Sequence, residues 1–354
     1  MEDGDALRRA GARRPCGGSR GAFGDGALRD DAISPAPACH TPWWLPGGHT
    51  QTIIPARWIA TPEVPYRRER WDTPDGDFLD IDHACDADAS PDAPVLVLFH
   101  GLEGDSSSHY ARVLMDGCRR RGWRGIVVHF RGCGGEDNRH ARAYHSGDSA
   151  EIAWVLDRVA GTWPAAPRFA VGISLGGNAL AKWCGEQGAA AAPTVRACAA
   201  ISAPFDLAAG GAALEHGFNR VYTHMFLRTL IPKALRKVRR FPGLADAQRI
   251  RRCRTIREFD DAFTAPVHGF RGVEDYWHRS SAKPWLRHVA VPFLALNAAN
   301  DPFVPAVSLP RSMDVAPCVA IDQPEQGGHV GFYAVAPDPW HFRTRTFAFL
   351  QAYR

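Results

Sequence analysis

The chain has 354 residues, of which 45% are hydrophobic and 23% are charged, so it can form one large domain with a substantial core and an insertion. Its formal net charge of +4 is small for this length and argues against nucleic acid as the main partner. No apolar run reaches about 18 residues, which argues against a transmembrane helix. The nine cysteines lack C-x-x-C spacing, so we expect reduced thiols and a cytoplasmic location.

The first 38 residues are rich in arginine, alanine, glycine and aspartate, and they lack the apolar stretch of a signal peptide. A segment of this composition cannot bury a core, so we predict a disordered tail over residues 1–38. We predict a single domain over residues 39–354, with a cap inserted at about 203–285.

Aromatic and turn-forming residues at 43–52 predict a strap packed against this domain, and residues 65–84 alternate as a β-hairpin does. Strands are predicted at 94–99, 125–130, 168–173, 195–202, 291–297 and 317–321, and helices at 107–121, 148–159, 175–183 and 340–352. This alternation predicts an α/β fold with a mostly parallel central sheet and helices on both faces.

The strand at 94–99 runs directly into His100-Gly-Leu-Glu-Gly104. A His-Gly step after a buried strand is where α/β-hydrolases place a backbone amide that binds an oxyanion. We therefore expect the N–H of Leu102 to be one such donor. His100 is expected to shape the loop rather than to transfer protons.

The strand at 168–173 ends in Gly172-Ile-Ser-Leu-Gly176, and a helix follows at once. Gly172 and Gly176 flank Ser174 because so tight a turn leaves no room for side chains on the neighbouring backbone. Such a turn exposes the serine hydroxyl as a nucleophile and aims the Leu175 amide at an anion forming beside it. The competing interpretation is an ordinary strand-to-helix turn whose serine caps the helix.

Two further residues complete a candidate catalytic set. Asp301 follows a buried strand, and His329 follows two glycines. The order serine, aspartate, histidine along the chain is that of an α/β-hydrolase triad. Asp206, after an earlier strand, is the rival acid, and His341 in the last predicted helix is the rival base. We favour Asp301 because active residues of such folds lie just past the carboxyl ends of strands.

The segment at about 203–285 interrupts the series of strands and is predicted to form a helical cap over the site. Residues 216–257 contain twelve lysines or arginines and one acidic residue, Asp246. They form either a solvated helix face or a surface that contacts anionic membrane lipids or acidic substrates. An apolar strip in the same segment either lines an acyl pocket or packs on the core: Phe218, Val221, Tyr222, Met225, Phe226, Leu227 and Leu230.

Several blocks give the chain a resemblance to the YheT-like family of α/β-hydrolases, the group that includes the ABHD1- and ABHD3-type esterases. The blocks are residues 48–52 (GHTQT), 99–104 (FHGLEG), 130–135 (FRGCGG), 144–148 (YHSGD) and 172–178 (GISLGGN), together with Asn300-Asp-Pro302 and Gly328-His329. They extend over most of the predicted domain. The block at 130–135 is the most distinctive of them.

The resemblance implies a serine hydrolase that cleaves carboxylic esters with short-chain or lipid-like acyl groups. Its triad would be Ser174, Asp301 and His329, and the amides of Leu102 and Leu175 would form the oxyanion hole. This chemistry requires no metal or organic cofactor, and its partner is a small-molecule or lipid ester. Two alternatives stay open: a ligand- or partner-binding protein with little turnover, and an acyltransferase that uses the same residues. The sequence leaves the oligomeric state open.

Overall fold

The computed structural model describes residues 39–84, 90–335 and 338–354, so the tail predicted over 1–38 lies outside the described residues. Its strands are β1 (Arg67–Asp72), β2 (Phe78–His83), β3 (Val95–Phe99), β4 (Arg124–His129), β5 (Arg168–Ile173), β6 (Ala197–Ile201), β7 (Phe293–Leu296) and β8 (Val319–Asp322). They form one sheet in the order β1-β2-β4-β3-β5-β6-β7-β8.

The sheet is mostly parallel, as the alternation of elements predicts. The hairpin predicted at 65–84 is present as β1 and β2, and β2 pairs antiparallel with β4. The remaining neighbours, from β4 through β3 to β8, are parallel. β3, β4, β6 and β7 are buried along their whole length, as expected for strands covered on both faces.

Helices cover the two faces of this sheet. Outside the region between β6 and β7 they are α1 (Gly47–Arg57), α2 (His109–Arg119), α3 (Ser149–Thr162), α4 (Leu175–Gln187) and α11 (His341–Gln351). Alternate side chains of a strand point to opposite faces. On β3, Val95, Val97 and Phe99 pack in the cluster of α3 and α4, whereas Leu96 and Leu98 pack in the cluster of α2 and α11.

The region between β6 and β7 is helical, and we call residues 207–280 the cap. It contains α5 (Leu207–Leu214), α6 (Asn219–Arg240), α7 (Ala247–Arg252), α8 (Ile256–Phe259), α9 (Ala265–Val267) and α10 (Val273–Ser280). A single π-helical turn, Asp260–Thr264, joins α8 to α9. The cap has its own apolar cluster, in which Leu230, Phe259 and Trp277 are buried. None of the described helices is both long and apolar enough to cross a bilayer.

The strap predicted at 43–52 is wrong in part, because a helix begins within it. α1 begins at Gly47, and the Thr50 hydroxyl donates to the carbonyl oxygens of Pro46 and Gly47. Glycines at the start of the helix and Pro55 inside it obscure the helical pattern in the sequence. The seven cysteines within the described residues form no disulfide bonds with one another.

Candidate active site

Ser174 occupies a strained turn between β5 and α4, with φ 49° and ψ −115°. A Cβ atom added to Gly172 would lie 2.4 Å from the Gly176 carbonyl oxygen, and one added to Gly176 would lie 2.5 Å from that of His100. Both glycines are therefore required by close backbone approach, as predicted. The Ser174 side chain makes no capping hydrogen bond to α4, so the capping interpretation is wrong.

The predicted serine, histidine and aspartate lie in one hydrogen-bonded row. Nε2 of His329 lies 3.0 Å from the Ser174 hydroxyl, and Nδ1 lies 2.8 Å from Oδ2 of Asp301. The other carboxylate oxygen, Oδ1 of Asp301, accepts the backbone N–H groups of Phe303 and Val304 at 2.8 and 3.3 Å. The Asp301 side chain is fully buried, so these donors replace water around its charge. In this row Nε2 of His329 is placed to accept the proton of the serine hydroxyl, and Asp301 holds the imidazole ring.

The loop that carries His329 is held by residues to which the sequence analysis assigned no role. The backbone N–H of His329 donates to the Thr52 hydroxyl at 2.8 Å, and that of Gly327 donates to Oε1 of Gln51 at 2.8 Å. The N–H of Val330 donates to the Ser202 hydroxyl at 2.9 Å. Gln51 and Thr52 belong to the block at 48–52 that contributes to the resemblance, which is the signal that marks them.

The rival acid, Asp206, and the rival base, His341, form other hydrogen bonds. Asp206 is the N-cap of α5, where its side chain accepts the N–H of Ala209 at 3.1 Å. His341 begins α11, is buried, and donates its backbone N–H to the Phe332 carbonyl oxygen. Among the described residues, neither side chain contacts Ser174 or His329. Asp148 is the N-cap of α3 and accepts the N–H of Glu151.

The loop after β3 is clamped by hydrogen bonds that fix the orientation of one peptide group, between Gly101 and Leu102. The Gly101 carbonyl oxygen lies 2.7 Å from Nδ1 of His100 and accepts the N–H of Gly104 at 3.0 Å. Nε2 of His100 accepts the N–H of Phe130, and burial lowers the pKa of His100 to about 3, so the ring is neutral and Nδ1 donates. In a trans peptide the N–H opposes the C=O, so fixing the Gly101 oxygen also fixes the N–H of Leu102.

The second predicted oxyanion donor is the amide of Leu175. As the first residue of α4, it has no intrahelical acceptor for its N–H. For the Leu102 N–H, no acceptor is found within the described residues. A Cβ atom on Gly101 would lie 3.3 Å from that of Ser174, which shows how closely the two loops approach. The site can therefore combine a nucleophilic hydroxyl, a base and two amide donors.

Arg131, whose role the sequence did not reveal, is part of a buried ionic network. Its guanidinium lies 2.6 Å from Glu151, 3.0 Å from Asp77 and 2.9 Å from Asp75. Burial and the nearby charge of Asp148 raise the pKa of Glu151 to about 7. The network ties the start of the loop at 131–148 to the hairpin and to α3, and it makes no contact with Ser174.

A cavity of about 110 Å³ lies between the two proposed oxyanion loops and the cap. Leu102 and Leu175, whose amides are the proposed oxyanion donors, line it, and the cap contributes a mainly apolar wall. The cap residues of this wall include Leu230, Ala234, Ile256, Phe259, Phe263 and Tyr276. The cap therefore lies over a cavity that Leu102 and Leu175 also line.

The apolar strip predicted at 218–230 is divided between two environments. Of its members, Leu230 lines the cavity, whereas Phe218, Val221 and Met225 are 42–49% exposed. The ring of Tyr222 packs 4.6 Å from that of Phe303, which in turn lies 4.2 Å from the His329 ring. An acyl pocket formed by the whole strip is therefore wrong, because α6 turns its first half toward solvent and Phe303.

Several of the twelve basic residues at 216–257 form ion pairs or hydrogen bonds within the protein. Lys233 pairs with Glu103, Arg236 with Asp137, Arg249 with Asp261, and Arg257 with Glu215 and Glu274. Lys237 and Arg240 donate to backbone carbonyl oxygens at 138–142. The structure thus adds a third role to the two predicted ones: part of this charge fastens the cap to the loops beside the site. Among the described residues, no cluster of three or more His, Cys, Asp or Glu side chains is arranged to hold a metal.

Comparisons with known proteins agree with this architecture. A family model described as the alpha/beta hydrolase fold matches residues 94–334. The YheT protein of Escherichia coli (strain K12), which is named as an esterase, is 40% identical over 80% of this chain and 84% of its own. The human protein named phospholipase ABHD3 is 31% identical over 82% of this chain and 72% of its own. The structure of the Pyrococcus furiosus esterase Pf2001 superposes with a TM-score of 0.53 at 14% identity, covering 83% of this chain and 99% of that one, which supports the fold alone.

Proposed function

This chain belongs to the α/β-hydrolase family, in the group that contains YheT, and we propose that it is a serine hydrolase that cleaves carboxylic esters. One observation carries the proposal. The His329 imidazole lies between the Ser174 hydroxyl at 3.0 Å and the Asp301 carboxylate at 2.8 Å. A serine hydroxyl is almost fully protonated at neutral pH, so it becomes a nucleophile only when a base within this distance takes its proton.

The proposed reaction begins with attack of the Ser174 oxygen on the ester carbonyl carbon while Nε2 of His329 accepts the hydroxyl proton. Asp301 accepts a hydrogen bond from Nδ1–H of His329 without taking its proton. This hydrogen bond fixes the tautomer and stabilises the imidazolium that forms. The carbonyl oxygen gains negative charge and receives hydrogen bonds from the amides of Leu102 and Leu175. Collapse of this tetrahedral intermediate breaks the ester C–O bond, and the imidazolium gives its proton to the leaving alkoxide.

Deacylation repeats these steps with water as the nucleophile. His329 accepts a proton from a water molecule that attacks the Ser174 acyl ester, and the same two amides stabilise the second oxyanion. The imidazolium then returns its proton to the Ser174 oxygen as the carboxylic acid leaves. Every proton transferred in the cycle passes through Nε2 of His329, so no cofactor enters this scheme.

The proposed substrate is an ester of a short-chain or lipid-like acyl group. The mainly apolar cavity beneath the cap borders Leu102 and Leu175, so it offers a place for the apolar part of an ester whose carbonyl lies at those amides. The names of the relatives, an esterase and a phospholipase, support the same class of substrate.

Acyl-enzyme trapping tests the proposal. We expect p-nitrophenyl esters to give a burst of nitrophenol, and mass spectrometry of the acid-quenched protein to find the acyl group on the peptide that contains Ser174. A well-folded protein that shows no turnover, burst or adduct would instead be a binding protein. Partitioning of the acyl group to an added alcohol at the expense of hydrolysis would indicate an acyltransferase.

A further inference from the structure

Glu103 directly follows Leu102, the proposed oxyanion donor, and has φ 56°. This left-handed backbone conformation is disfavoured for every residue with a Cβ atom, so it persists only where surrounding contacts enforce it. The backbone of the next residue, Gly104, is closely packed against the Tyr110 hydroxyl, since a Cβ atom on Gly104 would lie 2.2 Å from that oxygen. The loop therefore has little space to shift at this point. The contacts of Glu103 therefore determine how well the preceding amide is held.

Tyr144 anchors Glu103 from the body of the domain. Its hydroxyl accepts the backbone N–H of Glu103 at 2.9 Å and donates to Oε1 of the same residue at 2.9 Å. The ring of Tyr144 stacks on Phe130 with an interplanar angle of 3°, and the N–H of Phe130 binds His100. Glu103 and Tyr144 come from the FHGLEG and YHSGD blocks, and neither has a step in the proposed reaction.

Lys233 anchors Glu103 from the cap. Its ammonium lies 3.0 Å from Oε1 and 2.9 Å from Oε2 of Glu103. The Glu103 side chain is only 7% exposed and that of Lys233 is 33% exposed, so the pair is shielded from water and from salt. Lys233 lies on α6, whereas Glu103 belongs to the loop after β3 and Tyr144 to the loop after β4.

We propose that Glu103 and Lys233 are positioning residues for the oxyanion hole: their ion pair holds the Leu102 amide in place only while α6 is docked on the loop. The inference rests on the proposed function. It makes the cap part of the catalytic apparatus, because a displaced α6 would leave a largely buried carboxylate without its cation. Residue 103 could then relax out of its left-handed conformation and carry the adjacent peptide with it.

The other cationic contacts between α6 and the body of the domain differ from this one. Arg236 pairs with Asp137, with both side chains about half exposed, and Lys237 donates to the carbonyl oxygens of His140 and Arg142. These contacts fasten α6 to the loop at 137–142. Among the described cap residues, Lys233 is the one that forms an ion pair with the oxyanion loop. Arg236 pairs with Asp137 instead, so it provides a matched control on the same helix.

The test compares Lys233→Met and Glu103→Gln with Arg236→Met. For each protein we would measure kcat and KM for a soluble p-nitrophenyl ester, together with inhibition by an alkyl boronic acid. The boronate forms a tetrahedral adduct on the serine and places an oxygen in the oxyanion hole. Removing one oxyanion donor costs about 10²- to 10³-fold, so displacing one should cost about 10- to 100-fold in kcat. We expect the same loss in boronate affinity and a KM that changes little.

Two further variants separate positioning from general stability. Lys233→Arg should restore most of kcat, because a guanidinium can also bind the Glu103 carboxylate. The double variant Glu103→Gln/Lys233→Met should have a kcat no lower than that of the less active single variant, because the two single substitutions remove the same ion pair. Thermal unfolding of each variant identifies any that fail to fold, and Lys233→Gln then replaces the methionine variant.

Wild-type kcat and boronate affinity in Lys233→Met, equal to those of Arg236→Met, would overturn the inference. So would a variant that changes KM alone, because that pattern indicates substrate contact rather than positioning of the oxyanion donor. A wild-type protein that neither hydrolyses the ester nor binds the boronate would refute the proposed function as well. The failure of the inference can therefore be distinguished from the failure of the function.

Discussion

The backbone N–H of His329 donates to the hydroxyl of Thr52 at 2.8 Å across 277 positions of the chain. The same hydroxyl donates to the Gly48 carbonyl oxygen at 2.7 Å, so it is used both as donor and as acceptor. Thr52 lies on α1, before the first strand, whereas His329 lies in the loop after the last. The N-terminal helix therefore helps to set the position of the proposed catalytic base.

Thr52→Val should weaken both stability and catalysis. It leaves the buried N–H of His329 without an acceptor, which costs about 1–3 kcal/mol in the free energy of unfolding. Small displacement of the imidazole should also lower kcat, by about 10-fold. Urea unfolding and p-nitrophenyl ester kinetics measure the two effects. Thr52→Ser keeps the hydroxyl and should behave as the wild type; an equal loss in this variant would show that the methyl group, not the hydrogen bond, matters.

Asp301→Asn should lower kcat by about 10⁴-fold with little change in fold, because an amide cannot hold His329 in the tautomer that accepts the serine proton. Asp206→Asn is the control. Its amide oxygen can still accept the N–H of Ala209 at the start of α5, and asparagine is as good an N-cap as aspartate. Steady-state ester hydrolysis decides between them. A severe loss in Asp206→Asn with a mild one in Asp301→Asn would reassign the acid.

Asp260 should make stability depend on pH. Burial raises the pKa of Asp260 to about 6, despite hydrogen bonds from Thr264 and Trp277 that favour its charged form. A carboxyl whose pKa is higher in the folded state than in the unfolded chain stabilises the fold when protonated. That contribution is complete below the unfolded pKa and is lost as the pH rises through about 6.

Replacing Asp260 with asparagine removes this titration. The melting temperature of Asp260→Asn should therefore rise relative to that of the wild type as the pH increases from about 4 to about 7, because the unfolded and folded pKa values of Asp260 lie in this range. Differential scanning fluorimetry across this range measures the difference. If the melting temperature of Asp260→Asn stays constant or falls relative to that of the wild type as the pH rises, the Asp260 carboxyl does not titrate with a raised pKa in the folded state.

The fold was largely predictable from the sequence because strands that are buried on both faces carry a strong signal. β3 is an uninterrupted apolar run, and the two glycines around Ser174 mark the turn after β5. The candidate triad residues could be selected from the sequence because each follows a strand or a glycine pair in a known order. The contacts of Thr52 and Lys233 could not, since they join segments distant in the chain through single polar groups that leave no periodic pattern.

Contact with an anionic membrane stays a prediction, and the structure makes it more specific. Val221 and Met225 are exposed on α6, and Phe218, the residue directly before this helix, is exposed as well. The exposed Arg220 and Arg228 lie on the same helix. Exposed apolar residues with neighbouring cations are typical of helices that lie in a membrane interface. We expect binding to vesicles that contain phosphatidylglycerol, and we expect it to fall sharply at about 0.5 M salt, where the Debye length is only a few ångströms.

Vesicle sedimentation of the variants localises this binding. Arg220→Gln/Arg228→Gln should bind more weakly, whereas Arg196→Gln should bind as the wild type does. Arg196 is also exposed, but it directly precedes β6. It therefore lies at the amino ends of the parallel strands, whereas Ser174 lies at their carboxyl ends. Binding that is absent, or that does not respond to salt, would favour a solvated helix face instead.

Labelling with a fluorophosphonate probe tests the central claim most directly, because the probe reacts covalently with activated serines. The measurement compares the folded wild type with Ser174→Ala and with heat-denatured wild type. We expect strong labelling of the folded wild type and none of the other two, with ester turnover lowered by at least about 10³-fold in Ser174→Ala. Undiminished labelling or turnover in Ser174→Ala would show that Ser174 is not the nucleophile.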